Sequence, residues 1–364
     1  MVQLTQRDRI IRAVKRREID RIPMLDTAWA GTVRRWYNEG MPKGISWEKH
    51  FGFDNVIRIF PDNSPRYPIK VIEQTDRYRI ETTKWGETRK VFNELDSTPE
   101  VLECYYDRSE RWWEAKAAMQ VYHEDRISWE KLKENYPRWK AEGKFLQLGV
   151  WFGFDVTHSH LVGTENMLVA MLDEPEWVTD MFDTYLNTSL ELCQRILDAG
   201  YEFDSVFWYD DMGYKGTPFF SPAIYRELLK PYHKKVVDWA HERGMLAELH
   251  SCGFIEPLLK DVIDTGVDIL NPLEVKAGMD PFKLKALYGD KLTFHGGINA
   301  QLWDNIELVK AEMERVIPAM KEGGRIHFCL RSFYPQLGFL RKYEGNRKAR
   351  SRAWKIRLKR KIAK

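Results

Sequence analysis

The sequence predicts an α/β protein, a (β/α)8 barrel of the TIM type, and three observations predict it. Eight short apolar runs recur along the chain, near residues 22–26, 55–60, 145–151, 205–210, 245–250, 268–273, 292–296 and 325–329. In the second half they alternate with helix-length segments such as 222–242 and 255–265. Strands that are apolar throughout and joined by helices form parallel sheets with both faces covered. Glycines mark the joins: Gly200, Gly244, Gly266 and Gly323-Gly324 each follow a predicted helix and precede a predicted strand, where a helix C-terminus favours glycine. No dinucleotide-binding glycine fingerprint is present, and eight such units favour closure over an open doubly wound sheet.

Taken in order, residues 4–17 place Ile10, Ile11 and Val14 on one side of a short amphipathic helix at the N-terminus. Residues 20–26 form a loop that feeds the first strand. Residues 62–144 break the repeat. They contain a hairpin, 78–83 with 89–92 turning at Trp85-Gly86-Glu87, then a polar, helix-rich stretch with Trp112-Trp113. This reads as an insertion between the second and third strands that covers one side of the barrel. From the third strand to the eighth the β-then-α alternation is regular. No tandem repeat, low-complexity tract or linker marks an independent second domain, so residues 1–344 are expected to form one barrel domain and residues 345–364 a basic C-terminal tail.

Composition narrows the class. The chain is 43% apolar and 30% charged, enough for a large core under a well-solvated surface. Net charge is +3, yet residues 345–364 hold ten Lys or Arg and no acid, so the body is net acidic. Such a tail can attract an acidic partner; equally, it can be a solvated helix docked through Trp354, Ile356, Leu358 and Ile362. The body has no second basic cluster, and nucleic acid is not expected as a partner. The N-terminus lacks an apolar signal core and no run is long enough to span a bilayer. Four widely spaced cysteines (104, 193, 252, 329) do not resemble a disulfide framework, which points to a reducing cytoplasm. Cys104 and Cys193 fall on helical or irregular segments and read as structural. Abundant aromatics, 14 Trp, 16 Tyr and 18 Phe, favour a cavity with large flat walls.

Barrel active sites lie at the C-terminal ends of the strands, so polar residues there are the candidates. Asp26 ends the first strand, Asp210-Asp211 the fourth, His250-Ser251-Cys252 the fifth, and Asn271 with Glu274 the sixth. His295 ends the seventh and Cys329 the eighth, with Arg331 beyond it. Two thiols and an imidazole are a ligand set suited to Zn2+, and three protein ligands leave a fourth position for chemistry. His250 and Cys252, two residues apart in extended chain, point the same way, and Cys329 is the third candidate ligand; two small buried cysteines are the plain alternative. Of the two adjacent aspartates, Asp210 is favoured as acid or base, sharing a face with Trp208, a candidate substrate contact. Glu274 can be a fourth zinc ligand, a carboxylate that orients His250, or a solvent-exposed residue. His295 can bind substrate or fill the core, and His158 and His160 can rim the pocket.

These residues carry a resemblance. Leu4-Thr5-Gln6-Arg7-Asp8-Arg9, Asp20-Arg21-Ile22-Pro23, Phe51-Gly52-Phe53-Asp54, Asp210-Asp211-Met212-Gly213, Ser221-Pro222 with Lys230-Pro231-Tyr232, Leu249-His250-Ser251-Cys252-Gly253 and His295-Gly296-Gly297-Ile298 together resemble the uroporphyrinogen decarboxylase superfamily. It spans most of the chain outside the insertion and the tail, and it implies a (β/α)8 barrel. True decarboxylases carry Arg-Gln-Ala-Gly-Arg-Tyr after the first strand; here Asp26 to Trp36 contains no such stretch. The site pattern is closest to the cobalamin (corrinoid)-dependent methyltransferase branch, whose His-x-Cys…Cys zinc set is similar to His250, Cys252 and Cys329. That branch tends to flank the last cysteine with glycines, whereas this chain reads Phe328-Cys329-Leu330-Arg331.

The resemblance implies a zinc-dependent methyltransferase that moves a methyl group between a corrinoid protein and a small thiol or other methyl acceptor or donor. Asp210, Glu274 and His295 are then the catalytic candidates, and Asp26, Trp208 and Arg331 the substrate contacts. The chain lacks the Asp-x-His-x-x-Gly pattern of corrinoid-binding domains, so a methylcorrinoid comes from a separate protein. The alternative is a uroporphyrinogen decarboxylase-like lyase acting on a carboxylated substrate without metal, using Asp26 or Asp210 with Arg34, Arg35 or Arg331 as carboxylate clamps.

Overall fold

A computed structural model describes residues 3–93, 98–104, 109–322 and 326–329, without the side chains of 303, 304 and 326–329. The described strands are, in chain order, β1 (Met24–Leu25) and β2 (Val56–Ile59), then β3 (Val71–Gln74), β4 (Tyr78–Thr82), β5 (Thr88–Phe92) and β6 (Glu100–Glu103). They continue with β7 (Phe145–Val150), β8 (Ser205–Tyr209), β9 (Leu246–His250), β10 (Ile269–Leu273), β11 (Thr293–Gly296) and β12 (Ile326–Cys329). Each of the eight apolar runs thus holds a strand, within two residues of its expected ends. The chain divides into two compact units, one of residues 56–271 and one of residues 1–55 with 272 onward.

In the unit of residues 56–271, β2, β7, β8, β9 and β10 form a parallel sheet in that order. All six residues of β7 are buried, as are all of β10 and all but the last of β8. A strand covered on both faces needs an unbroken apolar run, which is why these segments were visible as runs rather than as alternation. The long helix Pro175–Asp198 starts with proline at its first position and buries Trp177, Val178, Met181, Phe182 and Tyr185 along one stripe. The expected helix over 222–242 is present with a π-helical turn, Tyr225–Leu229, between Pro222–Ile224 and Lys230–Glu242. Gly200, Gly244 and Gly266 take positive φ after their helices.

The insertion contains more sheet than the sequence suggested. The hairpin of β4 and β5 pairs as expected, from Tyr78↔Phe92 to Thr82↔Thr88, and β3 and β6 extend it to four antiparallel strands. Both outer strands are exposed along their whole length. Without a buried face they carry no apolar alternation, so pattern could not reveal them. The helices Trp112–Gln120 and Trp129–Ala141 follow.

In the other unit, β1, β12 and β11 are parallel neighbours, with Leu25↔Cys329 and His295↔His327 in register. Trp36, Met41, Phe51, Phe53, Val309 and Met313 form its core. The N-terminal helix, Gln6–Val14, is capped by the Thr5 hydroxyl, which accepts from the Asp8 N–H. The Arg9 guanidinium reaches Asp54 at 2.6 Å and Asp20 at 2.7 Å, and Arg21 joins Asp54 at 2.6 Å. Asp54 also accepts from the Met24 N–H. Residues of the opening motifs, far apart in sequence, therefore meet in one buried ion network that anchors the start of β1. No helix among the described residues is long and apolar enough to cross a membrane.

Candidate metal centre

The site is built by the loops that leave two neighbouring strands, β8 and β9. The last residue of β9 is His250, which is buried. The Asp210 N–H donates to the His250 carbonyl at 2.7 Å, and the Gly213 N–H to the Cys252 carbonyl at 3.2 Å, so the two loops run together. Glycines permit this approach. A Cβ on Gly213 would stand 2.6 Å from the Cys252 carbonyl oxygen, and one on Gly253, whose φ is +82°, would overlap the Gly213 backbone. The Ser251 hydroxyl, fully buried, accepts from the Met212 N–H at 3.0 Å.

This packing gathers Asp211, His250 and Cys252, whose ligand atoms lie within 4.8 Å of one another. His250 Nδ1 lies 2.6 Å from Asn271 Oδ1. A carboxamide oxygen can only accept, so Nδ1 carries the proton and Nε2 keeps its lone pair. Nε2 faces Cys252 Sγ at 3.3 Å and Asp211 Oδ1 at 3.5 Å. Asp211 Oδ1 also accepts from the Cys252 N–H at 2.7 Å, which holds the carboxylate over the turn. A fixed imidazole lone pair, a thiol and a carboxylate converging on one point form a donor set that fits zinc. By contrast, burial pushes the Cys193 thiol up to about 12 and that of Cys104 up to about 11. Neither ionises near neutral pH, and they remain packing residues.

The structure places Asp211, rather than the favoured Asp210, beside His250. Side chains alternate along β8, and Tyr209 lies on the His250 side, with ring centroids 4.7 Å apart. Trp208 and Asp210 do share a face, as expected, but it is the opposite one. Trp208 is buried against Phe152 and His233. Asp210 is fully buried, with Oδ2 2.7 Å from His233 Nε2, and Oδ1 accepts from the Asp155 N–H at 2.9 Å. His233 Nδ1 in turn meets the Tyr225 hydroxyl at 2.9 Å. This carboxylate–imidazole–phenol chain secures the turn that presents Asp211. A Cβ on Gly153, where φ is +94°, would overlap Asp210 Oδ2, so glycine is what lets the carboxylate lie against that backbone. Near it, burial and then the Asp211 and Asp210 carboxylates raise the pKa of Asp155 well above the ordinary range.

The other candidates lie apart from this cluster in sequence, four of them in the second unit. Asp26 is half-buried after β1 and accepts from the Thr27 N–H. Glu274 follows β10 and pairs with Lys276 at 3.2 Å. His295 is buried in β11. Cys329 ends β12, but its side chain, like Arg331 and the basic tail, lies outside the described residues. Within the first unit, His160 Nδ1 contacts Glu87 at 2.7 Å and His158 Nδ1 contacts Thr164 at 3.0 Å. Sequence reasoning did not find Asn271 as the partner of His250, nor His233 and Tyr225. Asn271 had a signal: in parallel register it is the residue opposite His250. The helix residues had none.

Residues 154–329 match the uroporphyrinogen decarboxylase family. The resemblance read from the motifs is borne out, and the uroporphyrinogen decarboxylase-like stretch contains β8 to β12 and the whole Asp211–His250–Cys252 cluster. Among solved structures, a methyltransferase from Methanosarcina mazei aligns with a TM-score of 0.66 over 97% of this chain and 100% of that chain, at 17% identity. At that identity the likeness is one of fold. No curated protein sequence matches the chain.

Proposed function

We propose that the chain is a zinc-dependent methyltransferase, moving a methyl group between a separate corrinoid protein and a small thiol or other methyl acceptor or donor. The observation that carries this reading is the His250 tautomer: Asn271 holds the Nδ1 proton, which aims the Nε2 lone pair at Cys252 and Asp211. His250 and Cys252 would hold the ion, with Cys329 from β12 as third ligand and Asp211 as an alternative or exchangeable one. When bound, zinc lowers the pKa of a coordinated thiol and keeps it as thiolate near neutral pH. Burial, and then the Asp211 and Asp210 carboxylates, raise the pKa of the nearby Asp155. The fold likeness to a methyltransferase and the uroporphyrinogen decarboxylase family match support the reading; closure of the eight parallel strands into one (β/α)8 barrel over residues 1–344 is part of what is proposed. Asp26, Trp208 and Arg331 as substrate contacts, Asp210, Glu274 and His295 as catalytic groups, and a cytoplasmic location belong to the same proposal.

Elemental analysis of the purified full chain tests it. One zinc per chain is expected, lost in Cys252→Ala and in Cys329→Ser while circular dichroism stays unchanged; absence of stoichiometric zinc in the parent protein sinks the reading. The family match favours a second reading, a metal-free carboxy-lyase. Decarboxylation that persists in excess chelator would select it.

A further inference from the structure

The His250 side of the five-stranded sheet is layered. Lowest are polar groups: Arg58 Nε donates to Gln147 Oε1 at 2.7 Å, and Gln147 Nε2 donates to Glu248 at 2.6 Å and to Ser205 at 2.8 Å. Two residues further along each strand, on the same face, stand Phe60, Gly149, Phe207 and His250. Beyond them come Trp151 and Tyr209. Gly149 is the small member of this row, and a Cβ there would overlap the Phe60 ring, so Phe60 lies across the strand. Its ring stacks with Tyr209 at 6.2 Å and 19°, and meets Trp151 at 5.6 Å. Trp151 lies 5.4 Å from Tyr209, and Tyr209 lies 4.7 Å from the His250 ring. Trp85 extends the wall, 6.2 Å from Trp151. Phe60, Trp85, Trp151 and Tyr209 are each only half-buried. These four aromatic residues, none of them fully buried, thus form a row that begins at His250, the proposed metal donor.

On the footing of the methyltransferase reading, we infer that the small molecule bound beside His250 carries a planar aromatic ring, and that Tyr209, Trp151 and Phe60 form its specificity wall. Aromatic pairs attract by about 0.5–1.5 kcal/mol beyond what buried area supplies, and an aliphatic thiol or ether gains none of that. Binding sites for small polar molecules need several placed polar groups; this wall is built of rings, the imidazole beside it, His160, is engaged by Glu87 at 2.7 Å, and the polar layer beneath it is bonded to itself.

The test is calorimetric titration of the zinc-loaded full chain with 2-methoxyphenol and, as matched aliphatic probe, 2-methoxyethanol. The aromatic ether is expected to bind at least tenfold more tightly. Loss of one ring, in Trp151→Leu or in Trp85→Leu at the far end of the wall, weakens it about fivefold and leaves the aliphatic ether unaffected. Trp85→Leu does not touch His250, so it keeps the test valid if Trp151→Leu fails to fold. Equal affinity for the two ethers, tighter binding of hydroxocobalamin alone than of either, or variants that bind the aromatic ether normally would each overturn the inference. Zinc content measured on the same samples separates the two readings. A zinc-loaded chain without aromatic preference overturns the wall alone; aromatic preference in a chain that takes up no zinc overturns the metal reading alone.

Discussion

Replacing Asn271 by alanine removes the acceptor that Oδ1 offers the His250 Nδ1 proton while leaving every proposed zinc ligand in place. Two consequences follow, of similar size. The buried N–H loses its partner, which costs the folded protein about 1–3 kcal/mol. The imidazole is then free to turn or to move its proton to Nε2, so forming the metal site requires reorganisation. Partners of this kind typically contribute 10- to 100-fold to metal affinity, or about 1.4–2.8 kcal/mol. The assay is competition for zinc against a chromophoric chelator at fixed pH, with urea denaturation of the metal-free proteins alongside. Asn271→Ala should lose at least tenfold in zinc affinity, and Asn271→Asp, which keeps an acceptor at that position, should recover most of it. If Asn271→Ala binds zinc within twofold of the parent, or if the aspartate variant is as weak as the alanine one, the tautomer argument fails.

Other perturbations test the frame that holds the site. Gly153→Ala puts a Cβ onto Asp210 Oδ2 at a φ of +94°; strain and overlap together should destabilise the fold by about 3 kcal/mol in urea melts, and a loss below about 0.5 kcal/mol would contradict the close approach. His233→Leu leaves the Asp210 carboxylate buried without its imidazole, a change of about 3–5 kcal/mol, whereas Tyr225→Phe removes one neutral hydrogen bond worth about 1 kcal/mol; denaturation midpoints in the reverse order would refute the relay. His158 titrates at about 4 instead of 6.5, through burial and then the neighbouring His160. Between those values the unfolded chain binds the extra proton, so this group's stabilisation is present above pH 6.5 and is lost as pH falls towards 4. His158→Gln should therefore lose less stability than the parent between pH 7.5 and 5, and parallel declines in the two proteins would rule this contribution out.

Much of the architecture was legible in the chain because its signals are local. A strand buried on both faces must be apolar along its length, so β7, β8 and β10 declared themselves. The hairpin of β4 and β5 declared itself through its turn. The outer strands β3 and β6 did not, since exposed strands held by a neighbour's backbone need no side-chain pattern. At the site, His250 and Cys252 were found from strand-end position and spacing alone. Between Asp210 and Asp211 phase decided little: alternation paired Asp210 with Trp208 but cannot say which face of a buried strand lies beside His250, when both faces are apolar.

Residue order alone therefore established the eight parallel strands, their alternation with helices in the second half, and two of the three clustered candidate donors. Long-range packing supplied the rest. It set His250 against Asn271, one strand away, and so chose the nitrogen that keeps its lone pair. It brought the loops after β8 and β9 together through Gly213 and Gly253, and so placed the Asp211 carboxylate beside His250 and Cys252. It buried Asp210 with His233 and Tyr225, and lined the His250 side with rings drawn from separate strands. Spacing in the chain records which side chains share a face, but tautomer, donor set and wall depend on distances between segments that approach each other only when the sheet has formed.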